Sequence, residues 1–322
     1  MTWERERDAA AEAVARAMDL CRRVQAELLP ADAIAKPDAS PVTIADFASQ
    51  ALVCRALADA FPDDPVVAEE SSEALRRDAV LLGRVACALG ENPERVCGWI
   101  DRGAGEPGPR FWTLDPIDGT KGFLRRGQYA IALGLISGGR VVAAALGCPN
   151  LPSRGVDGPA GSGSLYAAAY GGGVFAVDPE SGARTPVRVD ERCERWAESF
   201  EVAHGDRSGQ EEIAARIGLT AEPVRIDSQA KYALVARGDA GLILRLPPAD
   251  RPDFRECIWD HAAGAFLVEE AGGVVTDVEG KPLDFARGRR LAGNRGVVTA
   301  HPALHGRVLA ALRERTRPAD ST

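Results

Sequence analysis

The sequence predicts a layered α/β protein, an α+β sandwich in which helices and sheets alternate. Three features predict it. Apolar residues recur at helical spacing over roughly the first 60 positions; runs of branched and aromatic residues with glycine turns between them come next; and from about Trp196 short strands alternate with helices. That change of rhythm divides the chain into 1–195, an N-terminal α+β unit, and 196–322, a C-terminal α/β unit.

Val14, Ala17, Cys21, Val24 and Leu28 share one helical face with Arg and Glu between them, so the first 30 residues read as an amphipathic helix stopped by Pro30. After the loop Lys36-Pro37-Asp38-Ala39-Ser40-Pro41, a second helix runs from near Thr43 to about Phe61, with Phe47, Ala51, Leu52 and Ala58 on one face. Asp46 falls in its first turn, where the helix dipole favours a carboxylate regardless of any chemistry. Val66-Val67-Ala68 is a short strand ending in Glu69-Glu70-Ser71-Ser72, and the residues to about Leu89 look helical. One glutamate can serve that helix start while the other does chemistry. Residues 91–110, rich in Gly, Pro and charge, read as an irregular loop.

Phe111-Trp112-Thr113-Leu114 is a buried strand, and Pro116, with no amide hydrogen and a fixed φ, is expected to force the chain out of the sheet directly after Asp115. The stretch Asp115-Pro116-Ile117-Asp118-Gly119-Thr120 then places two carboxylates about one turn apart at a strand end, with the Gly119 and Thr120 amides opening the next segment. Carboxylates beside free amides suit a cation and a phosphate respectively. Asp-Pro and Asp-Gly are also ordinary turn formers, and alone the stretch is a solvated loop.

Gln128–Ile136 and Arg140–Leu146 form a hairpin through Ser137-Gly138-Gly139. Leu165–Tyr170 and Val174–Val177 flank Gly171-Gly172-Gly173, a turn rather than a phosphate loop because no helix pattern comes after it. Strand Phe200–Ala203, helix Gln210–Ile217, strand Val224–Ile226, helix Gln229–Arg237 and strand Leu242–Leu244 come next. A helix over Cys257–Ala271, opened by Trp259-Asp260 and closed by Gly272-Gly273, puts Asp260 in its first turn. Strands Val274–Thr276 and Gly296–Ala300, a helix His301–Arg315 and a disordered Arg317–Thr322 complete the chain.

Composition narrows the function. With 322 residues, 45% hydrophobic and 27% charged, this is an ordinary globular protein, and a net charge of −8 argues against nucleic acid or an anionic membrane as partner. The same balance suits carboxylates gathered around divalent cations. Seven scattered cysteines with no Cys-x-x-Cys pair indicate neither a disulfide framework nor a zinc site. The charged N-terminus carries no secretory pattern, and no apolar run reaches the roughly 18 residues that span a bilayer, so a soluble cytoplasmic protein is expected.

Asp46, Glu69, Asp115, Asp118 and Asp260 come from separate segments, each at a strand end or helix start. Brought together they cannot all stay ionised without counter-charge. All-oxygen ligands with no Cys or His among them select Mg²⁺, which works best where phosphate oxygens complete its octahedron, so the chemistry implied is phosphoryl transfer to water.

Asp115-Pro116-Ile117-Asp118-Gly119-Thr120, with Trp259-Asp260-His261-Ala262-Ala263-Gly264 and Glu270-Ala271-Gly272-Gly273, resembles the paired signature of the lithium-sensitive, magnesium-dependent phosphatases related to inositol monophosphatase. Within that superfamily the chain is most similar to the 3′(2′),5′-bisphosphate nucleotidases. The likeness runs through Ser40-Pro41-Val42-Thr43, Ala68-Glu69-Glu70-Ser71, Lys121-Gly122-Phe123-Leu124-Arg125 and Gly147-Cys148-Pro149-Asn150, then Asp227-Ser228-Gln229-Ala230-Lys231-Tyr232 and Leu244-Arg245-Leu246-Pro247.

The resemblance implies the layered inositol-monophosphatase/fructose-bisphosphatase-like fold and two or three Mg²⁺ per active site. It implies that Glu69, Asp115 and the Ile117 carbonyl hold one metal, and that Asp115, Asp118 and Asp260 hold a second. Asp46 would act as general base through Thr120, and the Gly119 and Thr120 amides would grip the phosphate. Ser228, Lys231 and Arg245 would recognise the nucleotide, and His204 sits where the family has a base-contacting histidine, though Gly205-Asp206-Arg207 and the longer 247–257 loop depart from its pattern.

The implied reaction is hydrolysis of the 3′-phosphate of adenosine 3′,5′-bisphosphate to AMP and phosphate, with the sulfated relative of that nucleotide as a second substrate, in a monomer or homodimer. An inositol mono- or polyphosphate phosphatase is the alternative within the fold. A non-catalytic nucleotide-binding regulator is the alternative from another class, and it would have lost a ligand that this sequence keeps.

Overall fold

The structure, a computed structural model, describes residues 2–27, 34–35, 41–157, 161, 163–200, 206–248, 250–251 and 253–316, with the backbone alone at 34, 35, 41 and 316. The expected helix stop at Pro30, the loop residues 36–40, most of the expected strand at 200–203, and the 317–322 tail lie outside the described residues.

Helix α1 (Glu4–Glu27) leads to the short strands β1 (Ile34–Ala35) and β2 (Pro41–Val42) and to α2 (Ile44–Ala60). Thr43 caps α2, its hydroxyl accepting from the Ala45 amide, while Asp46 accepts in return from the Thr43 amide. Strand β3 (Val66–Ala68), α3 (Glu73–Arg77) and α4 (Ala79–Leu89) come after it. The next segment corrects the sequence reading, for within 91–110 the chain forms helix α5 (Pro93–Asp101), capped by Asn92 and burying Val96, Cys97 and Ile100. Asn before a first-turn proline is a helix start, and it prevails over the polar, glycine-bearing composition around it.

Strand β4 (Arg110–Asp118) precedes α6 (Thr120–Leu124), β5 (Ala130–Ser137), β6 (Arg140–Cys148), β7 (Ser164–Ala169), β8 (Val174–Val177) and β9 (Arg184–Val187). Pro116 does not end β4. Pairing with β5 runs through Asp115↔Ala132, shifts, and resumes at Asp118↔Ala130, so the missing amide is absorbed in a bulge. Gly138 and Gly139, at φ 59 and 78, make the two-residue turn of the β5–β6 hairpin.

The remainder is β10 (Trp196–Glu198), α7 (Arg207–Arg216), β11 (Val224–Arg225), α8 (Ala230–Ala236), β12 (Leu242–Arg245), α9 (Ala262–Glu270), β13 (Val274–Thr276), β14 (Val297–Ala300) and α10 (Pro302–Thr316). Strand β10 lies ahead of the strand expected at Phe200–Ala203, most of which is outside the described residues. Helix α9 begins at Ala262 rather than Cys257, because the Ile258 amide donates to Arg289 O and the Leu291 amide to Glu256 O. With its backbone paired to 289–291, the 256–258 segment cannot be helical, and Asp260 sits in the turn before α9.

Two sheets result. Seven strands run in the order β3-β4-β5-β6-β7-β8-β9, antiparallel except for β3 with β4, and five run β11-β10-β12-β14-β13. Along β6, alternate side chains face opposite ways. Ala143 and Ala145 join Val14, Met18 and Leu57 of α1 and α2, whereas Ala144 and Leu146 join Tyr232, Phe266 and Leu267 of α8 and α9. The α8–α9 layer also meets Ala197, Ile243 and Val275 of the five-stranded sheet. That sheet's far face is covered by Ile213 of α7 and Leu304 and Val308 of α10. The layers are therefore helix, sheet, helix, sheet, helix.

Small residues in the middle sheet let the helices approach closely. A Cβ on Gly147 would lie 2.6 Å from Val14 Cγ1 and 2.7 Å from Met18 Cγ. Gly147→Ala is therefore expected to destabilise the protein by about 1 to 3 kcal/mol, the usual cost of overpacking, read as a lower urea midpoint at unchanged slope. An unchanged midpoint would mean that α1 does not rest on β6 as described.

Candidate active site

The site forms where β3, β4, α2 and α6 end or begin. Ala68 pairs in parallel with Leu114, which puts Glu69 and Asp115 at the same level past the last paired rung. Asp115 is buried at 2% exposure. The Ser49 hydroxyl donates to Pro116 O at 2.9 Å, fixing the bulge between Asp115 and Asp118. Gln50 holds the end of β3, donating to Glu70 O at 2.7 Å and accepting from the Glu70 amide at 3.0 Å. Glu70 is thereby turned inward and buried while Glu69 stays half-buried at the site.

Gly119 carries the chain from the bulge into α6 at φ 88, and a Cβ there would lie 3.0 Å from Ser228 Cβ. Both the left-handed backbone and the close approach call for glycine. Thr120 is next, its hydroxyl 3.2 Å from Asp46 Oδ1 and 3.3 Å from Ile117 O. The other Asp46 oxygen accepts from the Thr43 amide at 2.8 Å and hydroxyl at 2.6 Å. Asp46 thus caps its helix and reaches the site at once, one oxygen for each task.

The opposite wall comes from the segment before α8 and the end of β12. The Gln229 amide donates to Asp118 Oδ2 at 2.6 Å, and the Gln229 side chain donates to Trp259 O at 2.9 Å and accepts from the Gly264 amide at 3.0 Å. One residue thereby ties Asp118 to the turn that bears Asp260. Ser228 is held at φ 68, an uncommon conformation for a residue with a side chain. Arg125 pairs with Asp227 at 2.5 Å. Lys231 is buried and donates to Ile226 O at 3.3 Å; burial, set against attraction to Asp118 and repulsion by Arg245, depresses its pKa to about 8.

The carboxyls do not sit easily together. Burial, then the charge of Asp118, pushes Asp260 well above the usual carboxylate range, with Glu256 and Glu69 adding to the shift and Arg245 opposing it. Burial raises Asp118 too, opposed by Lys231, the Gln229 amide and Arg245 and reinforced by Glu69. A cluster that resists ionisation for want of positive charge, with carboxylate and carbonyl oxygens as its donors, fits a hard divalent cation.

The structure brings Asp46, Ile117, Gly119 and Thr120 together, and links Asp118 to the Ser228–Lys231 segment. The charges of Lys231 and Arg245 favour the Asp118 carboxylate, and that of Glu69 opposes it. His204 lies outside the described residues.

Several residues in or behind the site were missed from the sequence. Glu256 lies 2.8 Å from Arg245 Nε, and His261 Nδ1 lies 2.7 Å from the Tyr232 hydroxyl. Ligand atoms of Glu256, Asp260 and His261 all fall within 4.8 Å of one another, but Arg245 already faces Glu256. Arg289 donates to Ala68 O at 2.6 Å and stacks over Trp259 at 5.0 Å, bracing β3 against the Asp260 turn. The signals for these were polar residues in otherwise apolar neighbourhoods, such as Gln50 within α2 and His261 ahead of Ala262-Ala263.

The chain also resembles known proteins. Residues 3–317 match the Inositol monophosphatase family. A 3′(2′),5′-bisphosphate nucleotidase of Schizosaccharomyces pombe is 42% identical over 97% of this chain and 96% of its own, and one of Oryza sativa is 40% identical over 95% of this chain and 93% of its own. Among solved structures, a Thermotoga maritima IMPase has a TM-score of 0.65 at 22% identity, covering 95% of this chain and 96% of its own, a likeness that speaks for the fold. Sheet order, layering and near-full-length similarity converge on one assignment: this chain belongs to the inositol monophosphatase family.

Proposed function

We propose that this centre removes the 3′-phosphate of adenosine 3′,5′-bisphosphate, giving AMP and phosphate, and acts also on the sulfated form of that nucleotide. The observation that carries the proposal is the join between Asp118 and Gln229, which sets a cation-binding strand end against a wall bearing Ser228, Lys231 and Arg245. Relatives about 40% identical to this chain over nearly its whole length are named 3′(2′),5′-bisphosphate nucleotidases.

Glu69, Asp115, Asp118, Asp260 and the Ile117 carbonyl would hold two or three Mg²⁺. Magnesium in such a cradle supplies an acidified water and counter-charge for the phosphate and leaving oxygen. The protein's own part is to align and to move a proton. Thr120 Oγ1 can give its proton to Asp46 Oδ1 while taking one from the attacking water, and Asp46 Oδ2, held by Thr43, keeps the carboxylate aimed. The Gly119 and Thr120 amides face the phosphate. Lys231 and Arg245 clamp the non-reacting 5′-phosphate, with Ser228 beside them, and the family resemblance assigns His204 a contact with the base. In this reading 1–195 carries most of the chemistry, and 196–322 carries recognition and the last metal ligand.

Chelation with EDTA is expected to abolish turnover, lithium to inhibit it, and Mg²⁺ to raise the melting temperature of the wild type but much less that of Asp118→Asn. Full activity in EDTA would end the metal reading. Asp46→Asn should lower kcat by about 10² to 10⁴, the range for losing a general base, at nearly constant KM; a variant that only melts lower would leave Asp46 a helix cap. For substrate choice, Arg245→Ala removes a charge-assisted contact and should raise KM for adenosine 3′,5′-bisphosphate by roughly 10- to 150-fold. The ratio of kcat/KM for that nucleotide to kcat/KM for inositol 1-phosphate should be well above one and collapse in the variant. A wild-type preference for inositol 1-phosphate would assign the site to an inositol phosphate phosphatase instead.

A further inference from the structure

Behind the proposed 5′-phosphate clamp sits a buried acid with no part in the proton transfer or the metal cradle. Glu256 is 6% exposed. Its Oε1 lies 2.8 Å from Arg245 Nε and its Oε2 lies 3.7 Å from His261 Nε2, while His261 Nδ1 is 2.7 Å from the Tyr232 hydroxyl. Its own backbone is fixed, since Glu256 O accepts from the Leu291 amide at 2.9 Å. Burial opposes the Glu256 charge, yet Arg245 and His261 hold its carboxyl down at about 2.

The coupling depends on charge more than on shape. Among the described residues Arg245 Nε, Glu256 Oε2 and His261 Nε2 are buried without a hydrogen bond that meets full geometry, so Nε approaches Oε1 at close range without its N–H aimed along the contact. The backbone of Arg245 has little freedom, being paired with Val297 at the end of β12. Its long side chain is a different matter. The side chain is 28% exposed, and Lys231, a second cation, repels it. A negative charge at Glu256 is the fixed point that counters this repulsion and offsets the burial of the guanidinium.

We propose that Glu256 is a specificity-determining positioning residue. It holds the Arg245 guanidinium in place beside Lys231, so that the site distinguishes nucleotides bearing a second phosphate from those bearing one. A guanidinium fixed by a negative charge beside its Nε offers its planar fork to an anion from a set position. Without the anchor, each binding event must first order a flexible cation. This inference rests on the reading of Arg245 given under Proposed function.

The test compares adenosine 3′,5′-bisphosphate with adenosine 3′-monophosphate in the Mg²⁺-loaded full chain, for wild type, Glu256→Gln, Arg245→Ala and the double variant. Glu256→Gln keeps the shape and removes the charge. It should raise KM for the bisphosphate by about 5- to 30-fold with much less change in kcat, as for loss of one to two ordinary polar contacts. The monophosphate should lose far less. In the Arg245→Ala background the same change should leave the ratio of the two kcat/KM values unaltered, since Glu256 acts through Arg245.

Glu256→Asp, which keeps the charge but draws it back, should give a ratio between wild type and Glu256→Gln; should the glutamine variant fail to fold, a wild-type ratio in Glu256→Asp overturns the proposal. Equal losses on both substrates, or a fall in kcat alone, would overturn it in favour of a role in holding metal or fold. If Arg245→Ala collapses the ratio and Glu256→Gln does not, this inference fails and the assignment of Arg245 stands. If Arg245→Ala itself leaves the ratio unchanged, the reading of Arg245 fails, and this inference with it.

Discussion

The structure turns on the mutual repulsion of acids that burial forces together. Burial lifts both Asp118 and Asp260 above the ordinary carboxylate range, the charge of Asp118 lifts Asp260 further, and Glu69 adds to both. No local arrangement produces this: Asp118 ends a strand, Asp260 precedes a helix, and Glu69 comes after a strand in a different part of the chain. The fold must therefore supply the work of convergence. It does so with rigid ends, β3 in register with β4 and the Asp260 turn braced by Arg289 and Gln229. Many small contacts in the layered core stabilise one crowded centre, in line with the general tendency of strain to gather at functional sites.

Much of the architecture was readable in the sequence because it is written locally. Helical spacing marked α1 and α2, paired glycines marked the β5–β6 turn, and the shift to alternating strands and helices marked the second sheet. The readings that failed involve competition between signals. Pro116 lacks an amide, but a bulge accommodates it. Asn92-Pro93 starts a helix inside a segment whose composition suggests a loop. The apolar run into α9 extends back to Cys257, but backbone pairing with 289–291 prevents helix there.

The site was legible where a single stretch carries several of its atoms, as in Asp115–Thr120, and where a motif marks an end, as at Asp260. It was illegible where side chains meet backbone across great separations. Gln229 and Asp118 are 111 positions apart, and Ser49 and Pro116 are 67 apart. Glu256 and His261 are polar residues whose partners, Arg245 and Tyr232, belong to other elements, so no periodicity reveals them. Such residues are recognised only once the layers are assembled and one asks where each buried polar atom finds its complement.

The hydrogen bond from the Gln229 amide to Asp118 Oδ2 has a further thermodynamic meaning. One carboxylate serves the acidic cluster with one side and steadies the Ser228–Lys231 wall with the other, so any ligand that changes the charge or orientation of Asp118 changes the free energy of that wall. Occupancies on the two sides of the bond are then reciprocal: whatever factor a cation contributes to nucleotide affinity, the nucleotide returns to the cation. If a cation and a nucleotide bind on the two sides of this bond, the apparent affinity for either is defined only once the concentration of the other is stated.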